Sequence, residues 1–223
     1  MQAGNVTGME VSTGYGPARA DMDGPPGAAS PSFLLALTHG SGGSVSAPDL
    51  LAVRAAGLRL GAAVALITQP YRVRGARAPG SAVRQDAAWR EIISALRAGS
   101  GGIPLIQGGR SNGARVACRT ASSVGATGVI ALAFPLRPPS RGAARGNPAP
   151  AQQMRAAELH AASSGGAEVL VVNGDRDPFG VPDASEATRV VILAGESHSI
   201  SKNPAAVADV VAPWLSDVLS LVP

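Results

Sequence analysis

The stretch that decides the fold is IPLIQGGRSNGARVACRTAS, residues Ile103–Ser122. Its apolar opening, Ile103–Gln107, predicts a buried strand, and the small residues over 112–122 predict a helix. Between them Gly109–Gly113 matches G-x-S-x-G with Ser111 at its centre. A sharp turn from strand to helix would hold the Ser111 hydroxyl above the edge of a sheet, as a nucleophile requires. The alternative is a glycine-rich turn that only allows the strand and the helix to pack closely.

On either side of this stretch, short apolar runs alternate with helical patterns. The predicted strands are Ser32–Leu37, Val64–Thr68, Ile103–Gln107, Gly128–Ala133, Glu168–Asn173 and Arg189–Leu193. Each run predicts a strand buried on both faces, as in a parallel sheet. Helices are predicted from Pro48, from Ser81 as N-cap, and along the apolar stripe of Val207–Leu221. The alternation predicts an α/β fold with a mostly parallel, doubly wound sheet flanked by helices.

The chain divides into two parts by composition. Residues 1–30 are polar and rich in glycine and proline, which predicts an N-terminal arm or a short hairpin. Residues 31–223 are predicted to form one domain with a single core. The long loop-like stretch 136–152 is too short for a large cap domain over that core.

Charge and composition exclude several classes of protein. The formal net charge is +4, but the arginines are scattered and no basic run with interleaved aromatic residues occurs, so nucleic-acid binding is not expected. The single cysteine, Cys118, excludes an intrachain disulfide and is interpreted as a small core residue. No signal peptide or membrane-spanning stretch is recognisable, which predicts a cytoplasmic protein that does not enter a membrane.

One histidine is placed to activate the serine. A serine hydroxyl is a poor nucleophile until a base accepts its proton. When the serine lies on this kind of turn, the order along the chain is serine, acid, histidine. His198 follows the last predicted strand and fits that order, whereas His39 precedes Ser111 and His160 falls within a helical pattern. His198 is therefore the predicted general base.

Two aspartates compete for the role of the acid that orients the base. Asp175 and Asp177 both follow the strand that ends near Asn173. Asp177 lies further past the strand end and precedes Pro178, which stiffens the loop. Asp175 could instead cap the turn or pair with Arg176. Asp177 is the favoured candidate, and Asp175 remains the alternative.

The glycine-rich loop Gly40–Gly43 supplies a candidate for binding developing negative charge. We expect the backbone N–H of Ser41, together with that of Asn112, to form an oxyanion hole beside Ser111. A dinucleotide-binding loop would require a third glycine where Val45 stands, and the sequence lacks a phosphate-binding P-loop motif. Neither a metal site nor a cofactor is predicted.

Taken together, these segments resemble the α/β-hydrolase superfamily, within it the dienelactone-hydrolase-like branch that includes the KANL3/Tex30-type hydrolase domain of bacterial proteins. The matching pieces are THGSGG, QPYRVRGARAP, the helix around Trp89, GGRSNGARVACRTA, ALAFPLRPP, VVNGDRDPFG and GESHS. The resemblance implies a single-domain α/β-hydrolase fold, a triad of Ser111, Asp177 and His198, and no cofactor. One departure is Arg137, where the resemblance implies a histidine after the leucine.

The predicted function is that of a serine hydrolase cleaving a carboxylic ester or thioester through an acyl-enzyme intermediate. Some relatives implied by the resemblance are scaffold proteins, so a non-catalytic interaction protein of the same fold is the alternative. The residues expected to contact a small-molecule substrate are His39, Tyr71, Arg72 and Arg137.

Arginines after two predicted strands suggest an anionic substrate. One group is Arg72, Arg74 and Arg77, and the other is Arg137, Arg141 and Arg145. Ligands of open α/β sheets bind beyond the carboxyl ends of the strands, where both groups are expected. The alternative is a solvated arginine surface, and the sequence leaves the oligomeric state open.

Overall fold

The computed structural model describes residues 6–25, 27, 30–98, 101–138 and 149–221. Within these residues one sheet runs through the centre of the molecule, with strand order β1-β2-β4-β3-β5-β6-β7-β8. The strands are β1 (Thr7–Val11), β2 (Ala18–Asp23), β3 (Phe33–Thr38), β4 (Ala62–Thr68), β5 (Leu105–Arg110), β6 (Gly128–Leu132), β7 (Glu168–Gly174) and β8 (Arg189–Leu193).

The sheet is antiparallel at one side and parallel elsewhere. Strands β1 and β2 form an antiparallel hairpin, and β2 pairs antiparallel with β4. From β4 to β8 all neighbouring strands run parallel. The residues assigned to an arm or hairpin thus contribute two strands to the main sheet, while the division of the chain near residue 30 stays a prediction.

Helices cover both faces of the sheet, as the alternating pattern predicted. They are α1 (Pro48–Arg59), α2 (Pro70–Val73), α3 (Ala82–Arg97), α4 (Asn112–Val124), α5 (Ala149–Ser164) and α6 (Pro204–Ser220). Ser81 caps α3 as predicted, because its side chain accepts a hydrogen bond from the N–H of Arg84. No helix of the described residues is both long and apolar enough to cross a bilayer.

The core consists of two layers, one on each face of the sheet. On one face Trp89 and Ile92 of α3 pack with Leu159 of α5 and with the small residues of α4. On the other face aliphatic residues of α1 pack against α6, including its Trp214. The predicted α/β fold is confirmed, and buried aliphatic residues supply most of the apolar surface that drives it.

One strand departs from its predicted environment. Strand β8 was expected to be buried on both faces, but it lies at the edge of the sheet and its residues are half-buried or exposed. An edge strand lacks a neighbour on one side, so an apolar run alone does not distinguish it from a central strand. Its position still directs the loop after it, which carries His198, toward the carboxyl edge of the sheet.

Candidate active site

Ser111 lies at the turn between β5 and α4, in a backbone conformation that non-glycine residues rarely adopt. Its φ is +54° and its ψ is −113°. The N–H of Ser111 donates to the carbonyl of Leu132 on β6 at 2.9 Å, which fixes the turn against the neighbouring strand. Strain of this kind persists only where the surroundings determine the conformation, and it is concentrated at functional sites.

The glycines of the motif are required by close packing around this turn. A Cβ on Gly109 would lie 2.7 Å from the carbonyl oxygen of Thr38, and one on Gly113 would lie 2.7 Å from that of His39. Both distances are shorter than van der Waals contact, and both involve backbone that cannot move aside. The glycines therefore allow β3, β5 and α4 to approach closely enough to hold Ser111 in place.

A buried polar network stabilises the turn that carries Ser111. Gln107 on β5 is fully buried, accepts a hydrogen bond from the Trp89 indole at 2.7 Å, and donates to the carbonyl of Ala117 on α4 at 2.7 Å. These bonds join α3, β5 and α4 just before the chain reaches Ser111. Fully satisfied buried networks of this kind add rigidity.

Ser111, His198 and Asp177 form one chain of hydrogen bonds. The Oγ of Ser111 lies 2.9 Å from Nε2 of His198, and Nδ1 of His198 lies 2.8 Å from Oδ2 of Asp177. With Nδ1 donating to the carboxylate, Nε2 is left to accept the serine proton. The ring of Phe179 packs edge-on against the imidazole with a centroid separation of 4.4 Å.

The surroundings separate the two aspartates that the sequence left in competition. The Asp177 carboxylate is fully buried and accepts hydrogen bonds from the N–H of Phe179 at 2.8 Å and from the Asn173 amide at 3.3 Å. Asp175 is exposed and accepts from the N–H of Gly195 at 2.8 Å, tying its turn to the loop after β8. Of the two, Asp177 is the one that contacts His198.

Arg110 links a second buried carboxylate to the loop that carries His198. The role of Arg110 was not predicted from the sequence. Arg110 precedes Ser111, and its Nη2 donates to the carbonyl of His198 at 3.0 Å. Its Nε lies 3.3 Å from Oδ2 of Asp49, a fully buried residue at the start of α1. Burial raises the pKa of Asp49, and the nearby Arg110 guanidinium acts in the opposite direction.

The two residues predicted to supply backbone donors lie at the same cleft as Ser111. Ser41 and Asn112 both line the cleft into which Ser111 opens. Asn112 begins α4, where backbone N–H groups have no partner within the helix. A Cβ on Gly40 would lie 3.3 Å from that of Ser111, so the glycine-rich loop approaches the serine closely. Tyr71 donates to the carbonyl of Ser41 at 3.1 Å and so braces this loop.

The residues predicted to contact substrate do not line this cleft. His39 is buried, with Nδ1 donating to the carbonyl of Gly40 at 2.8 Å and Nε2 accepting from the N–H of Gln69 at 3.1 Å. Tyr71 is also buried, and its hydroxyl supports the glycine-rich loop. Arg72 and Arg137 lie beyond strand ends as predicted, but neither borders the space around Ser111. Proximity to a strand end did not determine where these side chains point.

The cleft that does open around Ser111 has a volume of about 750 Å³ and a basic lining. Among the described residues, four arginines and no acidic residue border it; the arginines are Arg77, Arg110, Arg115 and Arg155. Of these, only Arg77 was among the arginines that the sequence analysis considered, while Arg141 and Arg145 lie outside the described residues. No group of three or more metal-ligating side chains occurs within the described part of the chain.

Comparisons with solved structures agree on the class of fold. Est1E from Butyrivibrio proteoclasticus superposes with a TM-score of 0.75 at 15% identity, over 98% of this chain and 100% of that one. A serine hydrolase without lid from Xanthomonas campestris gives 0.75 at 19% identity, over 98% and 97%. Dienelactone hydrolase from Anabaena variabilis gives 0.71 at 17% identity, over 96% and 98%. The chain thus has the fold of an α/β hydrolase.

The family follows from a match to a family model. The model described as "Alpha/beta hydrolase domain" matches residues 31–203, which is more than half of the chain. The chain therefore belongs to this family of α/β hydrolases, as its resemblance to the superfamily predicted. No curated protein matches it. The KANL3/Tex30-type assignment and the bacterial origin remain predictions.

Proposed function

We propose that this α/β hydrolase is a serine esterase or thioesterase that acts through an acyl-enzyme intermediate. The observation that carries the proposal is the hydrogen-bonded chain from Asp177 through His198 to Ser111, with distances of 2.8 and 2.9 Å. A serine, a base and an orienting acid in contact at a strained strand-to-helix turn are the arrangement that acyl transfer requires. The basis is thus the geometry of the site, since the fold alone supports many functions.

In the first half of the proposed reaction, the Oγ of Ser111 attacks the carbonyl carbon of the substrate while Nε2 of His198 accepts the hydroxyl proton. Asp177 holds Nδ1–H of the imidazole and stabilises the cation that forms. The tetrahedral oxyanion receives hydrogen bonds from the backbone N–H groups of Ser41 and Asn112. His198 then returns its proton to the leaving alcohol or thiol as the bond to the carbonyl carbon breaks.

In the second half, water takes the place of the alcohol. Nε2 of His198 accepts a proton from the water, whose oxygen attacks the acyl-enzyme carbonyl. Collapse of the second tetrahedral species releases the carboxylic acid and returns the proton to Ser111. The proposed mechanism uses no cofactor and no metal ion.

The proposed substrate is a small-molecule ester or thioester. The cleft is open and about 750 Å³ in volume, within the usual range for sites that hold small molecules. Est1E, one of the proteins with the same fold, has a structure with ferulic acid bound. The sequence also suggested an anionic substrate, and the basic lining of the cleft agrees with that hypothesis.

A fluorophosphonate probe tests the proposal directly, because it phosphonylates a serine only when a base activates it. We expect the intact protein to be labelled at Ser111, as located by peptide mass spectrometry, and Ser111→Ala to remain unlabelled. A screen of chromogenic esters of different acyl length would then define the chain-length preference. If no labelling and no ester turnover are seen, the proposal is wrong and the non-catalytic interaction protein is favoured.

A further inference from the structure

The arginines around the cleft differ in how their charges are compensated. Arg115 makes a bidentate pair with Glu158, with distances of 2.8 and 2.6 Å, and Arg110 lies beside Asp49. Arg155 instead donates from Nη1 to two carbonyl oxygens, those of Pro135 at 2.9 Å and Arg137 at 2.6 Å. Among the described residues, Arg155 has no ion pair with a carboxylate.

These two carbonyl contacts position Arg155 without neutralising it. A carbonyl oxygen carries only a partial charge, so the guanidinium remains a cation, and only one of its nitrogens is engaged in these bonds. Burial and the neighbouring Arg115 lower the pKa of Arg155 to about 10, although Glu158 opposes this shift. The side chain is therefore held at the cleft as an incompletely compensated positive charge.

The carboxylate nearest to Arg155 in the sequence, that of Glu158, is already paired with Arg115 and Arg119. Between Phe134 and Ala157 there are four arginines and no aspartate or glutamate, and the same is true between Gln69 and Gln85. The first of these segments contains Arg155 and the second contains Arg77, the two arginines of the cleft without a carboxylate partner among the described residues. An anion from outside the chain would meet both charges beside Ser111.

We propose that Arg155 is a specificity-determining residue, and that the substrate carries a carboxylate near its scissile carbonyl, which this guanidinium binds. The inference rests on the proposed function and refines its substrate class. A guanidinium with free N–H groups in a half-buried position recognises a planar carboxylate through two parallel hydrogen bonds. Arg77, more exposed at the same cleft, adds attraction without fixing the position of the anion.

Two matched pairs of esters test the proposal by turnover. The first pair, 4-nitrophenyl pentanoate and 4-nitrophenyl hemiglutarate, places a methyl group or a carboxylate at the end of the same acyl chain. The second pair, phenyl acetate and 4-acetoxybenzoate, places the carboxylate on the leaving group. We expect the intact protein to favour the anion in at least one pair, and salt to weaken this preference.

The variant Arg155→Gln should remove that preference while sparing the neutral ester. We expect kcat/KM for the anionic ester to fall about 10- to 100-fold, because hydrogen bonds between charged groups have this strength. Arg155→Lys keeps the charge but lacks the planar fork, so its loss should be intermediate. Arg90→Gln, an exposed residue of α3, causes the same change in net charge and should leave the preference intact.

Binding to a variant that cannot turn over separates this proposal from the catalytic one. On Ser111→Ala, calorimetry should show tighter binding of monomethyl glutarate than of dimethyl glutarate, and the difference should disappear in Ser111→Ala/Arg155→Gln. Equal binding of both esters, or a preference that vanishes in Arg72→Gln rather than in Arg155→Gln, would overturn the anion site and leave Ser111 chemistry unaffected. Equal losses for neutral and anionic esters in Arg155→Gln would assign Arg155 a structural role and also overturn it.

Discussion

The loop after β3 and the loop after β8 each carry a histidine to the same edge of the sheet, but the two side chains are in opposite situations. His39 is buried and both of its ring nitrogens contact backbone groups, those of Gly40 and Gln69. His198 is partly exposed and its nitrogens contact two side chains, Asp177 and Ser111. A histidine whose nitrogens are occupied by backbone fixes a loop, whereas one between a carboxylate and a hydroxyl can move a proton.

The electrostatics of His39 agree with a fixing role. Burial lowers the pKa of His39 from its usual value of 6.5, although the hydrogen bond to the carbonyl of Gly40 opposes the shift. A neutral imidazole with Nδ1 as donor and Nε2 as acceptor satisfies both contacts, and protonation would destroy the second. The loop that presents Ser41 beside Ser111 is therefore held by a histidine whose burial favours the uncharged form.

The largest expected effect on turnover tests the proposed role of His198. Ser111→Ala removes the hydroxyl that His198 contacts, and we expect kcat to fall by a factor on the order of 10⁶, as when a catalytic serine is removed from a comparable triad. Thermal unfolding should change little, since no packing contact of consequence is lost. Near-normal turnover of a chromogenic ester by this variant would show that His198 activates a different nucleophile.

The next effect distinguishes the two aspartates. Asp177→Asn replaces the carboxylate with a carboxamide of the same shape, which no longer holds the Nδ1–H tautomer of His198, so we expect a loss of about 10⁴ in kcat. Asp175→Asn is the matched control, because it makes the same change two residues away at an exposed position. It should retain most of the activity. The reverse ranking would assign the acid to Asp175.

A smaller effect is expected from the backbone of the His198 loop. Arg110→Met removes the hydrogen bond to the His198 carbonyl, and we expect kcat to fall about tenfold because the imidazole is held less firmly. It also leaves the buried Asp49 without its cation, which should lower the free energy of unfolding. The double variant Asp49→Asn/Arg110→Met should regain stability but not turnover. Recovery of both would mean that Arg110 acts on the fold alone.

The smallest effect on turnover is expected for the other histidine. His39→Gln should reduce kcat only a few-fold, but it should lower the free energy of unfolding by about 1–3 kcal/mol, because buried backbone groups lose their partners. A loss in kcat comparable with that of Asp177→Asn would contradict the purely structural role of His39.

The pH dependence of stability gives an independent check on His39. Its folded-state pKa is lowered, so the unfolded chain binds the proton more readily and the stabilisation is complete only above the unfolded pKa of about 6.5. As the pH falls below that value, the free energy of unfolding should decrease until the folded-state pKa is reached. Denaturant titrations from neutral to acidic pH should show this decrease, and His39→Gln should reduce it.

Much of the fold could be predicted because apolar runs of strand length indicate buried strands. The runs that became β3 to β8 were all recognisable, and G-x-S-x-G located the turn at Ser111. The prediction that β8 is buried on both faces was wrong, because an edge strand can have the same apolar composition as a central one. The hairpin β1–β2 was one of two alternatives for the N-terminal residues. Its pairing with β4 was not predicted, since pairing partners far apart in sequence leave no local signal.

The lining of the cleft was predicted less well than its centre. Arg72 and Arg137 were assigned to the substrate because they follow strands, but a position after a strand does not specify the direction of a side chain. Arg155 lies on α5, and the packing of that helix brings it to the cleft. The pairing of Arg110 with Asp49 likewise joins two distant segments. In the sequence, Asp49 is recognisable only as an acidic residue in the first turn of a helix. Acidic residues are usually exposed, so its burial could not be predicted.

The edge position of β8 has a consequence for how activity is lost. Ser111 directly follows β5 in the middle of the sheet, while the loop that carries His198 follows β8, whose one neighbouring strand among the described residues is β7. Local opening costs least where a segment is poorly buried and its hydrogen bonds are exposed, and the residues of β8 are half-buried or exposed. Release of this strand would withdraw the base from the serine while the rest of the sheet stays folded. Mild denaturant should therefore abolish activity before the protein unfolds globally, with amide exchange faster along β8 than along β5.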